Sequence, residues 1–324
     1  MELAVIVVNW NTRDLLARAL RSVQAALAGA PFSWQIIVVD SASEDGSAVM
    51  VRQSFPHVRL VELKENRGFG AAANAGLRLL TAPRPPAGEG SGRYPPILLL
   101  NADTEILGTA IQELAAYLEA HPEAGVVGPQ LCYPDGQIQP SRRRFPTPGT
   151  LFWESTVLEQ YLPRNRWARR YHMDDRPADV VQEVDWLVGA CLLVRAETLV
   201  QAGLLDEGYF LYFEELDWCR RIRQAGWRVV YLPTAHVVHH EGRSTEQVPL
   251  QRYLHFSRSK VRYAREVFGA RWAGLLRIFL RAAFAWQWLL EAGKWLLGHK
   301  RGLRRERMRI YEAVLRAGLS ERHP

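Results

Sequence analysis

The 324-residue chain contains three cysteines, Cys132, Cys191 and Cys219, odd in number and never closely spaced. This scarcity argues against a disulfide framework and a cysteine zinc site, and it fits a reducing cytoplasm. No uncharged apolar run approaches the roughly 20 residues needed to span a bilayer. Arg277, Arg281, Glu291 and Lys294 interrupt the most hydrophobic stretch, so the chain is expected to lie on a membrane at most. The opening Met1-Glu2 and the short apolar stretch Leu3 to Val8 lack the basic flank and length of a signal peptide and read as a first strand. A GxGxxG spacing is missing both after that strand and at Asn66-Arg67-Gly68-Phe69-Gly70, which counts against a nicotinamide-dependent oxidoreductase. No internal repeat is visible.

What is present is a composition 48% hydrophobic and 23% charged, enough to bury a sizeable core in one large domain, or one with an appendage. The formal charge of +7 is uneven: residues 250 to 324 hold 17 Lys and Arg against 5 Asp and Glu, leaving 24 against 29 before them. The basicity therefore belongs to the tail, which weakens a nucleic-acid reading of the main body and points the last quarter towards an anionic surface. Over the first 130 residues, short β-branched runs (LAVIVV, QIIVVD, VRLVEL, ILLLNAD) alternate with helical patterns at 13 to 28, 47 to 55, 70 to 80 and 109 to 120. Such alternation predicts an α/β fold with a mostly parallel sheet covered by helices on both faces. Ligands collect beyond the carboxyl ends of such strands, where this chain places Asn9 to Asn11, Asp40, Asn66 and Asn101 to Asp103.

Further along, residues 82 to 96 are too rich in Pro and Gly for helix or strand, Tyr133-Pro134-Asp135-Gly136 signals a hairpin turn, and Ser141 to Pro146 reads as a basic loop. VVQEVDWLVGACLLV is strand-like, a helix is expected from about Glu215 to Ala225 before Gly226, and WRVVYLP leads into a histidine-rich segment.

Several of these residues can carry chemistry, each with a plainer role beside it. Asp103 ends an apolar strand where a hard divalent cation would need a carboxylate, with Asn101 on the same side of the strand, yet Asp103 or Thr104 can equally cap the next helix. Asp40, followed by the polar turn Ser41 to Ser47, can accept hydrogen bonds from a base or ribose or form an Asx-turn. Glu214, Glu215 and Asp217 begin a helix beside aromatics, where burial and like-charge proximity would poise a general base. Taken alone, they fit an acidic first turn in which Asp217 pairs with Arg220 or Arg221. His236 and His240 share one strand face and His239 takes the other, which disfavours a three-histidine zinc site.

The segments VIVVNWNT, IIVVDSASEDGS, ENRGFGAAANAG, LLLNADT, GVVGPQL, VDWLVGACLLVR, GLLDEGYFLYFEELDWCRRIRQAG and HVVHHEGRS together resemble, in order and over roughly residues 3 to 245, glycosyltransferase family 2, and most closely its rhamnosyltransferase-like members. The resemblance implies a GT-A fold over residues 1 to 249 and an inverting glycosyltransferase. Asp40, Asn66 and Arg67 would hold the nucleoside of a dTDP-, UDP- or GDP-sugar, with Asn9, Asn11 and Asn101 nearby. Asp103 would bind Mg2+ or Mn2+ bridging the donor diphosphate, with His239 as a second contact. Glu215 occupies the catalytic-base position, preceded by Glu214, with Asp217 a further candidate. The metal motif, often Asp-X-Asp, is here Asn101-Ala102-Asp103, and the base is Glu where Asp is usual, a carboxylate moved out by one methylene.

Residues 250 to 324 read as a C-terminal extension of amphipathic helices, with Trp272, Trp286, Trp288 and Trp295 among aliphatic and basic residues. That composition suits the headgroup region of an anionic membrane, which would serve a lipid-linked or glycan acceptor, although the same faces can pack on the catalytic domain or form an oligomer. The expectation is a cytoplasmic enzyme peripheral to the inner face of the cell membrane, transferring a sugar, rhamnose from dTDP-rhamnose being the candidate, and binding no nucleic acid. The competing readings are a catalytically impaired nucleotide-sugar-binding scaffold and a nucleotidyltransferase, which would release pyrophosphate instead of nucleoside diphosphate.

Overall fold

A computed structural model describes residues 2–81, 94–156, 165–242 and 247–319. Most of the Pro- and Gly-rich segment 82 to 96, and the end of the HVVHHEGRS segment, lie outside them. The chain forms two compact units. The first contains the residues up to Phe145, His172–Phe210, and those from Glu214 through the last strand; the second contains Leu211–Phe213, part of the 146–171 segment and the C-terminal helices.

In the first unit, the apolar runs become β1 (Glu2–Asn9), β2 (Ser33–Asp40), β3 (Arg59–Glu62) and β4 (Ile97–Asn101), and the helices between them are Arg13–Leu27, Ser47–Ser54 and Phe69–Thr81. β1 lies between β2 and β4, parallel to both. Its side chains from Leu3 to Val7 are fully buried, as a strand covered on both faces requires. The register sets Asn9 opposite Asp40, so the polar ends of two apolar strands emerge side by side.

Beyond β4 the sheet becomes mixed. It continues through β10 (Cys191–Val194), β6 (Ala124–Cys132), β11 (Arg228–His239) and β5 (Thr104–Ile106), with β8 (Gln182–Val184) also pairing to β11. β10 runs antiparallel to both β4 and β6. β11 is parallel to β6 but irregular between Leu232 and His236, around Pro233, which has no N–H to give to a ladder.

Two local expectations change. The run VVQEVDWLVGACLLV is not one strand: it divides into β8, β9 (Trp186–Leu187) and β10, each with a different partner. Asp185 breaks the run because its N–H donates to the Arg143 carbonyl and its carboxylate accepts the Phe145 N–H. The basic loop accordingly contains a short strand, β7 (Arg142–Arg143), antiparallel to β9. The predicted hairpin turn is present, with Gly136 N–H donating to Tyr133 O and Tyr133 N–H to Gln137 O.

In the second unit, the tail forms helices Pro249–Phe268, Ala270–Leu296 and Arg301–Ala317. The buried Lys260 ammonium is matched by Glu154 at 3.5 Å and Ser155 Oγ at 3.2 Å. Glu291, also buried, accepts from Arg304 at 2.7 Å. Helix Ala270–Leu296 is 27 residues long and apolar enough, by length and composition, to cross a membrane, and only 22% of its most apolar window is buried. It passes that test although no uncharged run within it approaches 20 residues. A count of uncharged runs stops at Arg277 and Arg281, whereas long basic side chains on a helix can extend their charges along its surface to water.

Candidate functional site

At the ends of β1 and β2, hydrogen bonds organise a polar cradle. Asn9 Nδ2 donates to Asp40 Oδ1 at 2.7 Å, and the other Asp40 oxygen accepts the Ser43 N–H at 2.9 Å. Ser43 Oγ accepts the Asn11 N–H, and Asn11 Oδ1 accepts the Glu44 N–H. Asn11 has φ 50, a left-handed backbone that asparagine tolerates better than most residues. Asp40 is therefore buried and shapes the loop around it. Asn66 Oδ1 faces the same loop, accepting from Ser41 Oγ at 3.3 Å and from the Gly68 N–H at 2.9 Å. Arg67 is exposed, within 3.8 Å of Glu65 and 3.9 Å of Glu207.

Gly68 is held to glycine by the chain itself. It has φ +91, and an added Cβ would lie 2.0 Å from the Phe210 carbonyl oxygen. The neighbour that excludes a side chain there is the protein's own backbone.

Asp103 and His239 meet where β5 pairs with the end of β11. Asp103 Oδ1 lies 3.4 Å from His239 Nε2, and both side chains are buried. Gln139 and Glu241, which the sequence did not single out, fix the imidazole. Gln139 Nε2 donates to Glu241 Oε2 at 2.8 Å, which turns its Oε1 to His239 Nδ1 at 3.0 Å. With Nδ1 turned to Gln139, Nε2 is the ring atom that faces the Asp103 carboxylate. A carboxylate oxygen and a ring nitrogen facing each other are an arrangement that a cation would bridge. Asn101 adds a buried Oδ1 with no hydrogen-bond partner among the described residues. Carboxylate, amide oxygen and imidazole suit Mg2+ or Mn2+. No group of three or more His, Cys, Asp or Glu among the described residues could enclose an ion, so the remaining ligands would come from substrate and water. His240 takes a different partner, Glu105, at 2.7 Å.

The Asn101 N–H donates to the Ala190 carbonyl at 2.9 Å, which links the Asp103 and His239 side of the site, through Gly189, to the carboxylates of helix Glu214–Gln224. Next to Ala190, Gly189 leaves room for Glu215: a Cβ there would stand 3.2 Å from both Cβ and Cγ of that side chain. The two residues before the helix, Tyr212 and Phe213, have φ 67 and 72, an uncommon backbone for side-chain-bearing residues.

The three acidic residues of this helix have different environments. Asp217 forms bonds to Arg220 at 2.7 Å and Arg221 at 2.8 Å, and Arg221 also donates to the carbonyls of Ala202 and Leu204. That carboxylate anchors the helix. Burial, followed by the charge of Glu215, pushes the Glu214 carboxyl well above the usual carboxylate range. Burial also raises Glu215, but its own N–H and those of Gly189 and Leu216, with the Arg143 charge, oppose the rise. Glu214 is thus the partner that keeps a proton, and Glu215 the one that becomes the carboxylate. Glu214 Oε2 and Glu215 Oε2 are both buried with no hydrogen-bond partner among the described residues.

The raised Glu214 pKa has a consequence for stability. A carboxyl easier to protonate in the folded than in the unfolded chain stabilises fully below the unfolded value, and that contribution disappears as pH rises through the folded one. Glu214→Gln is expected to flatten this part of the profile, so its Tm should gain on the parent's as pH is raised from 5 to 9. Parallel Tm curves would contradict a proton held on Glu214.

The sequence pattern of Glycosyl transferase family 2 matches residues 4–177. The N-acetylglucosaminyl-diphospho-decaprenol L-rhamnosyltransferase of Mycobacterium tuberculosis is 32% identical over 290 residues, covering 87% of this chain and 90% of that protein. Rhamnosyltransferase WbbL of Escherichia coli is 42% identical over 64 residues, covering 19% of this chain and 24% of its own. Among solved structures, mannosyltransferase PcManGT from Pyrobaculum calidifontis in complex with GDP-Man and Mn2+ superposes with a TM-score of 0.51 at 18% identity, covering 98% of this chain and 85% of that one. GalNAc-T7 with UDP, GalNAc and Mn2+ also gives 0.51, at 15% identity, covering 74% of this chain and 44% of that one. The mixed sheet with its flanking helices is a GT-A fold. The match of the family pattern over more than half of the chain and the similarity to the mycobacterial enzyme along nearly its whole length make this chain a member of glycosyl transferase family 2.

Proposed function

We propose that this glycosyltransferase moves rhamnose from dTDP-rhamnose, with inversion at the anomeric carbon, to a saccharide carried on a polyprenyl diphosphate. The observation that carries this reading is the 32% identity, over 87% of the chain, to a rhamnosyltransferase whose name specifies such an acceptor. The arrangement of Asp103, His239 and Glu215 supports it.

Asp103, His239 and Asn101 would hold Mg2+ or Mn2+. Bound there, the ion would offset the charge that develops on the departing nucleoside diphosphate. The cradle of Asn9, Asn11, Asp40 and Asn66, with the Arg67 guanidinium at its edge, would seat the nucleoside. Glu215 Oε2 accepts the proton of the acceptor hydroxyl while that oxygen attacks the anomeric carbon from the face opposite the leaving group. Glu214, protonated, adds no second negative charge beside it. A panel of dTDP-, UDP- and GDP-sugars, assayed with a GlcNAc-diphosphoprenol and Mg2+ or Mn2+, tests the reading. Release of dTDP with transfer from dTDP-rhamnose is expected; transfer from a UDP- or GDP-sugar alone would reject the donor. Pyrophosphate release would indicate a nucleotidyltransferase, and nucleotide binding without turnover a scaffold.

The C-terminal helices support peripheral membrane contact. Leu275, Ile278, Trp286, Leu289 and Leu297 are exposed, and basic side chains lie among them. Trp and aliphatic side chains beside Arg and Lys suit an interfacial helix on anionic lipid. The full chain is expected to co-sediment with anionic vesicles more than with neutral ones and to leave cell membranes on carbonate washing. Retention after that wash would instead favour a crossing by helix Ala270–Leu296.

A further inference from the structure

The ribbon formed by β7 and β9 carries three consecutive arginines beside the site, and their side chains are used differently. Arg142 donates to the carbonyl of Pro177 at 2.8 Å and stacks over the Tyr231 ring, 5.2 Å from its centroid. Arg144 pairs with Asp175 at 2.9 Å. Both are therefore tied to the 175–177 segment and the strand beneath it. Side chains alternate along an extended strand, so Arg143 leaves the ribbon on the other face.

Arg143 is held firmly by its backbone. It pairs with Trp186 in the ribbon, its carbonyl accepts the Asp185 N–H at 3.1 Å, and the neighbouring Ser141 carbonyl accepts the Val188 N–H at 3.0 Å. Val188 leads directly to Gly189, the residue against which Glu215 rests. The guanidinium Nη1 bonds to the Arg142 carbonyl at 2.9 Å. Its charge acts on Glu215 and on His172. Burial, with the Arg143 charge second, takes the His172 imidazole down to about 4, so His172 is neutral near pH 7 and does not add to the positive charge.

An acceptor linked to its lipid through a diphosphate on the anomeric carbon brings a strong anion and the attacking hydroxyl on one hexose ring. A base that receives that hydroxyl then needs a cation about one ring away. Arginine, with its planar fork of donors, is well suited to phosphate oxygens. We propose that Arg143 binds the diphosphate of the acceptor and so sets the acceptor hydroxyl in line with Glu215. This rests on the proposed reaction, but the site can be tested apart from it.

Farnesyl diphosphate is the probe, titrated calorimetrically into the full chain with saturating dTDP and Mg2+ to fill the donor site. The parent should bind it, Arg143→Gln should bind it about 10-fold more weakly or worse, and Arg143→Lys should fall between. Arg228→Gln, which alters an exposed guanidinium paired with Glu123 and Glu183, should bind as the parent does. Unchanged Tm values with dTDP would show that the Arg143 variants are folded. Equal binding by Arg143→Gln, or no binding by the parent, would overturn the proposal. Arg143-dependent binding without sugar transfer to a GlcNAc-diphosphoprenol would leave the site standing and reject the reaction; transfer with Arg143-independent binding would do the reverse.

Discussion

Glu215→Gln is expected to lower sugar transfer by roughly 10²- to 10⁴-fold, the range that a positioned general base supplies. The substitution keeps the shape of the side chain and removes only its ability to take a proton. Stabilisation by dTDP with metal should therefore persist, which separates lost chemistry from lost binding. Glu215→Asp should also be impaired. The space left by Gly189 admits the longer side chain, and withdrawing the carboxylate by one methylene, near 1 Å, can cost about 100-fold. Because Glu215 titrates above the usual carboxylate range, the parent's activity should fall, as pH is lowered, earlier than an ordinary carboxylate would require. Full activity in Glu215→Gln would move the base elsewhere, with Glu214 the neighbouring candidate.

Asp103→Asn should remove most of the metal-dependent response to nucleotide. In the parent, dTDP at about 100 times its Kd should stabilise the fold by about 2.7 kcal/mol when Mg2+ or Mn2+ is present. The variant should show little of that shift at the same concentrations, because the one carboxylate facing His239 Nε2 has been replaced by an amide. Transfer should fall by about 100-fold or more, larger than the effect expected from altering a supporting residue such as Gln139. A metal-dependent shift of parental size in Asp103→Asn would place the ion at other residues.

The architecture that bears this chemistry was legible wherever the signal was local. β1, β2 and β4 are apolar runs long enough to be read by themselves, and each ends on a polar residue after its buried ones. Pairing of Asp217 with Arg220 and Arg221 was equally readable, since spacings of three and four meet on a helix face. The short strands were not. β5, β7 and β9 have three residues or two, and their ladders depend on partners such as Trp186 for Arg143 that no window of sequence contains. Gln139 was hidden for the same reason: it lies 100 residues from His239 and is brought there by the turn after β6. Its type and spacing carried no signal. Gly189 likewise read as part of a strand, whereas its role is the room it leaves beside Glu215.

The most direct test of single displacement by Glu215 is the anomeric configuration of the newly formed linkage, read by NMR on product made by the parent enzyme from dTDP-rhamnose and a GlcNAc-diphosphoprenol. The expected result is a configuration opposite to the donor's, with dTDP released in equal amount and no product from Glu215→Gln in the same time. A product that retains the donor's configuration would require a second displacement and would contradict the role given to Glu215.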